Sequence, residues 1–124
     1  MKRAALIVSI LLLTGCAAAP APAPVPEPVA IEASDIQTMD DGIAWARGLT
    51  SDVSAEELSA GINAVGDLVP EQDIWFQDNN EIGGALITLN SDVLADPDNA
   101  GSKVDDLNDI IDDLEASIEK GPTP

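Results

Sequence analysis

The side chains that could carry out chemistry are one thiol and 23 carboxyls. The chain has 124 residues, a single cysteine (Cys16), no histidine, five Lys+Arg and a net charge of −18. Without histidine, Ser-His and Cys-His catalysis is excluded, and a His/Cys zinc site cannot form. Two carboxylates suffice for glycoside hydrolysis, but 22 of the 23 acids are spread along residues 31–124 and none is distinguished by its context. We therefore expect a non-enzyme with no catalytic residue and no cofactor.

The acidic composition also bears on the partners of the protein. Its charge would repel a phosphate backbone, so we expect no nucleic-acid binding. Asp96, Asp98 and Gly101 have the spacing of positions 1, 3 and 6 of an EF-hand loop, but Leu107 stands where the loop needs a bidentate acid. We interpret this segment as a turn and expect no specific metal site. Weak divalent-cation binding along residues 105–113 remains an alternative function.

The first sixteen residues have the parts of an export signal. Met1, Lys2 and Arg3 form a positive start, residues 4–13 are an uncharged, mostly apolar run, and Leu13-Thr14-Gly15-Cys16 follows. A positive start, an apolar run of about 7–15 residues and a small-residue cleavage site are typical of secreted proteins. The run is shorter than the roughly 20 residues that a membrane-spanning helix needs.

These sixteen residues resemble the bacterial lipoproteins. Leu13, Thr14 and Gly15 match the lipobox, and Cys16 matches its invariant position. The resemblance implies a diacylglycerol thioether on Cys16, removal of residues 1–15 and acylation of the new amine. Because Lys2 and Arg3 leave with the signal peptide, the mature net charge would be −20.

The resemblance also implies a location. Ala17, rather than Asp, follows the lipidated position, which in lipoproteins of diderm bacteria implies sorting to the outer membrane, here most simply facing the periplasm. In a monoderm source the anchor would lie in the outer face of the plasma membrane. The expected membrane contact is therefore the lipid on Cys16.

The remainder divides into a tether, a domain and a tail. Residues 16–30 comprise the lipidated cysteine and an Ala/Pro-rich tether, in which alternate prolines favour extended polyproline II over helix. Residues 31–120 are predicted to form an acidic helical domain, and residues 121–124 a C-terminal tail. Alternate prolines are typical of a semi-rigid spacer.

Helical spacing of apolar residues and capping signals predict four helices in the domain. The first is expected to start at a Ser34/Gln37 capping box and to end near Gly48, and the second to start at a Ser54/Glu57 box. The third is expected to be the most enclosed, because Ile87 and Leu94 lie off its main apolar face. That face consists of Ile82, Leu86, Leu89 and Val93.

The last helix has the clearest pattern. Ser102 is expected to cap it, and Gly121-Pro122 to stop it. Its apolar seam is Val104, Leu107, Ile111, Leu114 and Ile118. The seam is too short for a stable coiled coil, so the predicted fold is all-α, a small antiparallel bundle of about four helices.

One local feature suggests a partner. Trp75 and Phe76 form an aromatic pair that the pattern places in a linker between the second and third helices. They could close the end of the bundle, or they could be an exposed anchor for a partner protein. The expected function is a non-catalytic envelope lipoprotein that presents an acidic helical module for protein or structural contacts. A phage-encoded lipoprotein for lysis or surface exclusion remains an alternative.

Overall fold

The protein is all-α, as the sequence predicts. The computed structural model describes residues 30–124, which form four α-helices and no strand. We name them α1 (Met39–Gly48), α2 (Ala55–Leu68), α3 (Phe76–Ala95) and α4 (Val104–Lys120). Three 3-10 segments join or precede them: Ala33–Asp35, Val69–Glu71 and Pro97–Lys103. The predicted signal peptide, lipobox (Leu13, Thr14, Gly15) and lipidated Cys16 lie outside the described residues.

The four helices pack in a ring. Each helix contacts its neighbour in the chain, and α4 closes the ring against α1. Neighbours run antiparallel, since Asp78 in the first turn of α3 contacts Ser117 and Lys120 near the end of α4. The inward faces bury mainly Leu, Ile, Val and Ala, and Trp45 is the one aromatic side chain in the core of the described residues.

The N-terminus of α1 differs from the prediction. Thr38, not Ser34, is the N-cap: its hydroxyl accepts from the amide of Asp41 (3.2 Å), and the Asp41 carboxylate accepts from the amide of Thr38 (2.9 Å). Ser34 instead lies inside the 3-10 turn Ala33–Asp35. The Ser34/Gln37 prediction was wrong because a second capping signal, Thr38/Asp41, lies directly after the first. The packing of the Ala33–Asp35 turn on α2 favours Thr38 as the N-cap.

The contact between α1 and α2 depends on Trp45 and Gly61. The indole ring lies so close to Gly61 that a β-carbon there would be 1.9 Å from the ring. The indole N–H donates to Glu57 (3.1 Å), and the same carboxylate oxygen accepts from the Ala33 amide (2.7 Å). Ser54 caps α2 as predicted, but the Glu57 side chain joins three segments instead of completing a capping box.

The central apolar run of α3 is helical and not a strand, as the spacing indicates. Ile82, Leu86, Leu89 and Val93 are buried. Ile87 and Leu94 are 71% and 60% exposed, so the expectation that α3 is the most enclosed helix was wrong. In a closed ring of four helices, each helix is covered mainly by its two neighbours. Side chains on the part of the helix surface that faces neither neighbour remain in solvent.

The apolar seam of α4 is confirmed except at its end. Val104, Leu107, Ile111 and Leu114 are buried, but the next buried position is Ser117, while Ile118 is 38% exposed. The predicted cap is also wrong: the Ser102 hydroxyl donates to the carbonyl of Asn99 (2.7 Å), and no side chain caps α4. Gly121 ends the helix at φ 84°, a conformation that favours glycine.

Candidate functional site

The two residues of the aromatic pair, Trp75 and Phe76, differ in how far they are exposed to solvent. Ile74, just before the pair, is buried in the core, and Trp75 beside it is half-buried. Phe76 is the first residue of α3 rather than a linker residue, and its ring is 76% exposed. Of the two predicted contact residues, Phe76 therefore offers a free apolar surface and Trp75 only part of one.

Phe76 belongs to a longer exposed feature that sequence analysis missed. Phe76, Gly83, Ile87 and Leu94, here named the α3 stripe, fall within about 40° of arc on α3 at 3.6 residues per turn. Uncharged Asn80, Asn90 and Ser91 flank the stripe. The sequence could have indicated it, because helical spacing places Ile87 and Leu94 off the buried face of α3 and on the same side as Phe76.

The α3 stripe carries no charge, unlike the surface around it. The three acidic residues of α3, Asp78, Glu81 and Asp92, lie roughly 140–200° around the helix from Phe76. α4 alone exposes seven acidic side chains: Asp105, Asp106, Asp109, Asp112, Asp113, Glu115 and Glu119. The stripe is therefore an apolar and uncharged strip on a strongly acidic domain.

The three basic residues among residues 30–124 are all engaged by acids. Arg47 of α1 contacts Asp112, Glu115 (2.5 Å) and the Asn108 side-chain oxygen (2.9 Å), all on α4. Hydrogen bonds from Arg47 to Asp112 and then Glu115 raise the pKa of its guanidinium above the ordinary value. Lys103 pairs with Asp106 and Lys120 with Asp78. Arg47 and Lys120 thus join α4 to its two neighbouring helices, Lys103 pairs locally, and most acids are left without a basic partner.

Two clefts lie beside α3. The larger, of about 540 Å³, is open and lies between α3 and α4, where Asp78, Glu81, Asp113 and Lys120 surround Ile82 and Ala85. The smaller, of about 260 Å³, lies between α2 and α3. Its walls are mostly apolar or small (Ile62, Gly66, Pro70, Gly83, Leu86 and Ile87), with Asn63 and Asp67 of α2 as the polar lining residues. This second cleft directly adjoins the α3 stripe, because Gly83 and Ile87 belong to both.

The Asp96–Gly101 segment has a structural role in the fold. The Asp96 carboxylate accepts from the Asn99 side-chain amide (2.8 Å), and Ala100 is buried. Gly101 lies against the carbonyl oxygen of Ser51, which a β-carbon would approach to 1.8 Å. Between residues 30 and 124 no group of three or more acidic or thiol side chains is arranged to hold a metal ion.

Among the described residues, every helix is too short or too polar to span a bilayer. Comparison of the chain with protein-family models, with curated proteins and with solved structures found no match.

Proposed function

We propose that this protein is a non-catalytic envelope lipoprotein that holds a small acidic helical module at a membrane surface for contact with protein. The α3 stripe carries the contact part of the proposal, because large exposed apolar side chains aligned on one helix face are typical of interaction sites. Leu13-Thr14-Gly15-Cys16 carries the anchoring part.

Lipid on Cys16 would supply the membrane affinity. Burial of each acyl methylene contributes about 0.8 kcal/mol, and two chains give stable anchoring where one gives only marginal binding. The Ala/Pro-rich residues 17–30 would then separate the domain from the headgroups by up to roughly 40 Å at about 3.1 Å per residue. Ala17 after the cysteine supports an outer-membrane location facing the periplasm.

Substitution of the thiol tests the anchor. In Cys16→Ser the hydroxyl cannot be alkylated, so we expect the chain to keep residues 1–15 and to lack the mass of the lipid. Intact-mass analysis of membrane-extracted protein and its distribution between membrane and soluble fractions measure both effects. Ala18→Ser is the matched control and should leave processing unchanged. Unaltered mass and fractionation of Cys16→Ser would refute the anchoring proposal.

The contact part is tested in native envelopes. A photoreactive phenylalanine analogue at position 76 should give adducts of defined mass, because that side chain is mostly exposed. The same analogue at Thr88, which is exposed on α3 but about 120° around the helix, is the control. Equal adducts from both positions, or none from position 76, would contradict a contact role for this face.

A further inference from the structure

We infer that the partner of the α3 stripe is a second copy of this chain, bound through an antiparallel α3–α3 contact with two-fold symmetry. The inference rests on the proposed function in taking this face as the contact surface. It goes further by naming the occupant and the register. Three observations carry it: the order of residues along the stripe, the absence of charge, and the cleft beside Gly83.

The stripe is palindromic about Ala85. Phe76 and Leu94 each lie nine residues from Ala85, and Gly83 and Ile87 each lie two residues from it. Two antiparallel copies centred there would place Phe76 against Leu94 of the second copy and Ile87 against Gly83. A two-fold interface must be self-complementary in this way, because each residue pair occurs twice with the copies exchanged.

The cleft gives Ile87 a place to insert. Nothing lies within 4 Å of a β-carbon built on Gly83 or on Gly66 across the cleft. The space of about 260 Å³ between α2 and α3 is therefore open beside Gly83 and has apolar walls from Ile62 and Leu86. In the symmetric register Ile87 of each copy lies over this opening in the other, so the contact occurs twice.

The flanking amides fit the same register. The Asn90 side-chain nitrogen donates to Asn63 on α2 (3.2 Å), while its buried oxygen has no hydrogen-bond partner within residues 30–124. Asn80 and Asn90 each lie five residues from Ala85, so the register places Asn80 of the second copy opposite Asn90. Asn80 is exposed and uncharged, so it can face Asn90 without bringing a carboxylate to the contact, while the Asn90 oxygen stays buried within its own chain.

Electrostatics select this face for contact between identical copies. Two chains of net charge −18 or −20 repel each other, and like charges brought together in an interface are strongly unfavourable. The acidic faces of α4 cannot meet, whereas the α3 stripe itself carries no carboxylate and the adjoining cleft has one acidic lining residue, Asp67 of α2. A charged partner would gain little from an uncharged strip, and an anionic lipid surface would be repelled by the acids around it.

The contact is modest in size and suits an anchored protein. The stripe extends for about 27 Å along α3, and one helix pair of that length lies at or below the lower end of stable interfaces, which bury about 1,200–2,000 Å². Lipid on Cys16 would confine copies to one surface and raise their effective concentration. The test therefore uses the full lipidated chain in native envelopes.

Cysteine pairs test the register. Phe76→Cys and Leu94→Cys, expressed together, should be joined by a short bis-maleimide, while either variant alone should not, because identical positions would be about 27 Å apart. Crosslinking of Phe76→Cys alone would indicate a parallel contact and overturn the inference. Ile87→Cys should crosslink to itself near the axis, and Thr88→Cys, with its side chain turned away, is the control.

A buried charge tests the energetics. Ile87→Asp would place two carboxylates near the axis, so we expect the crosslinked dimer of the Phe76→Cys and Leu94→Cys mixture to fall at least tenfold. Thr88→Asp adds the same charge outside the stripe and should leave most of the dimer. Because Ile87 is mostly exposed, the helical circular dichroism of Ile87→Asp should be unchanged. Equal dimer yields from the two variants would overturn the inference.

The remaining outcomes separate this inference from the proposed function. If the photoreactive residue at position 76 forms adducts with a different protein and no dimer is found, the proposed contact function stands but the second copy is refuted as the partner. In another outcome, Ile87→Cys is shielded from a water-soluble maleimide in membranes, reacts after detergent extraction and forms no crosslink. That result would place the stripe on lipid and would also refute the second copy. Failure of the anchor appears separately, in the fractionation of Cys16→Ser.

Discussion

Trp45 is the residue on which the packing of α1 against α2 most depends. Its side chain is 1% exposed, its ring occupies the space over Gly61, and its N–H donates to Glu57. Glycine at position 61 costs helix stability but leaves room for the largest side chain of the core. Gly66, five residues later on the same helix, has open space where a side chain would be.

These two glycines make a matched pair of substitutions. Gly61→Ala would force a methyl group into the Trp45 ring, and we expect it to lower the free energy of unfolding by about 3 kcal/mol or more. Gly66→Ala meets no atom and should raise it by about 0.5–1 kcal/mol, since alanine favours helix. Urea unfolding followed by circular dichroism measures both. A similar effect from the two substitutions would contradict the close packing of Trp45 on Gly61.

At the scale of elements, α1 is the helix that depends most on its cap. It has only ten residues, and helices of that length are marginal without tertiary contacts and capping. The Asp41 carboxylate accepts hydrogen bonds from the amides of Thr38 and Gln37, in a first turn where the helix dipole also favours negative charge. The side chain of Thr38 first, and then these two amide hydrogen bonds, lower the pKa of Asp41 below its ordinary value of 3.8.

The lowered pKa predicts a pH-dependent contribution of Asp41 to stability. A carboxyl whose pKa is depressed by folding stabilises the folded state above its ordinary pKa, and the effect is lost as pH falls through the folded value. Asp41→Asn should therefore reduce the unfolding midpoint at pH 6, and the difference from the parent chain should shrink below about pH 4. Asp40→Asn removes the same charge without these hydrogen bonds and is the control. A difference that is constant with pH would contradict the assignment.

At the scale of the whole molecule, repulsion among carboxylates opposes the fold. The chain carries 23 acidic and five basic residues, and the basic side chains described here are already paired. Like charges brought together on folding destabilise the compact state, and dissolved ions screen them over about 10 Å at 0.1 M. The core that resists this repulsion is small and mostly aliphatic.

Added salt should therefore stabilise the domain. We expect the melting temperature to rise as sodium chloride increases from about 0.01 to 0.5 M, because screening of repulsion outweighs the weakening of the few ion pairs. Thermal circular dichroism at pH 7 measures it, and Arg47→Met should steepen the rise by leaving Asp112 and Glu115 unpaired. A melting temperature that falls with salt would show that the ion pairs dominate instead.

Local signals in the sequence were enough to predict the helical class, the end of α1 at Gly48, the Ser54 cap of α2 and the buried faces of α3 and α4. These depend on residues within about four positions of one another, where spacing and capping act directly. It also supplied the lipobox, which remains a prediction because the described residues begin at residue 30.

The three-dimensional arrangement of the helices was needed to establish which capping signal starts α1, that Trp45 lies on Gly61, and that Phe76, Ile87 and Leu94 share an uncovered face. Each of these depends on which helix lies beside which, and that arrangement is set by contacts between residues far apart in the chain. A helical pattern shows which side chains point the same way. Whether a neighbouring helix covers them is settled by how four short helices close into a ring.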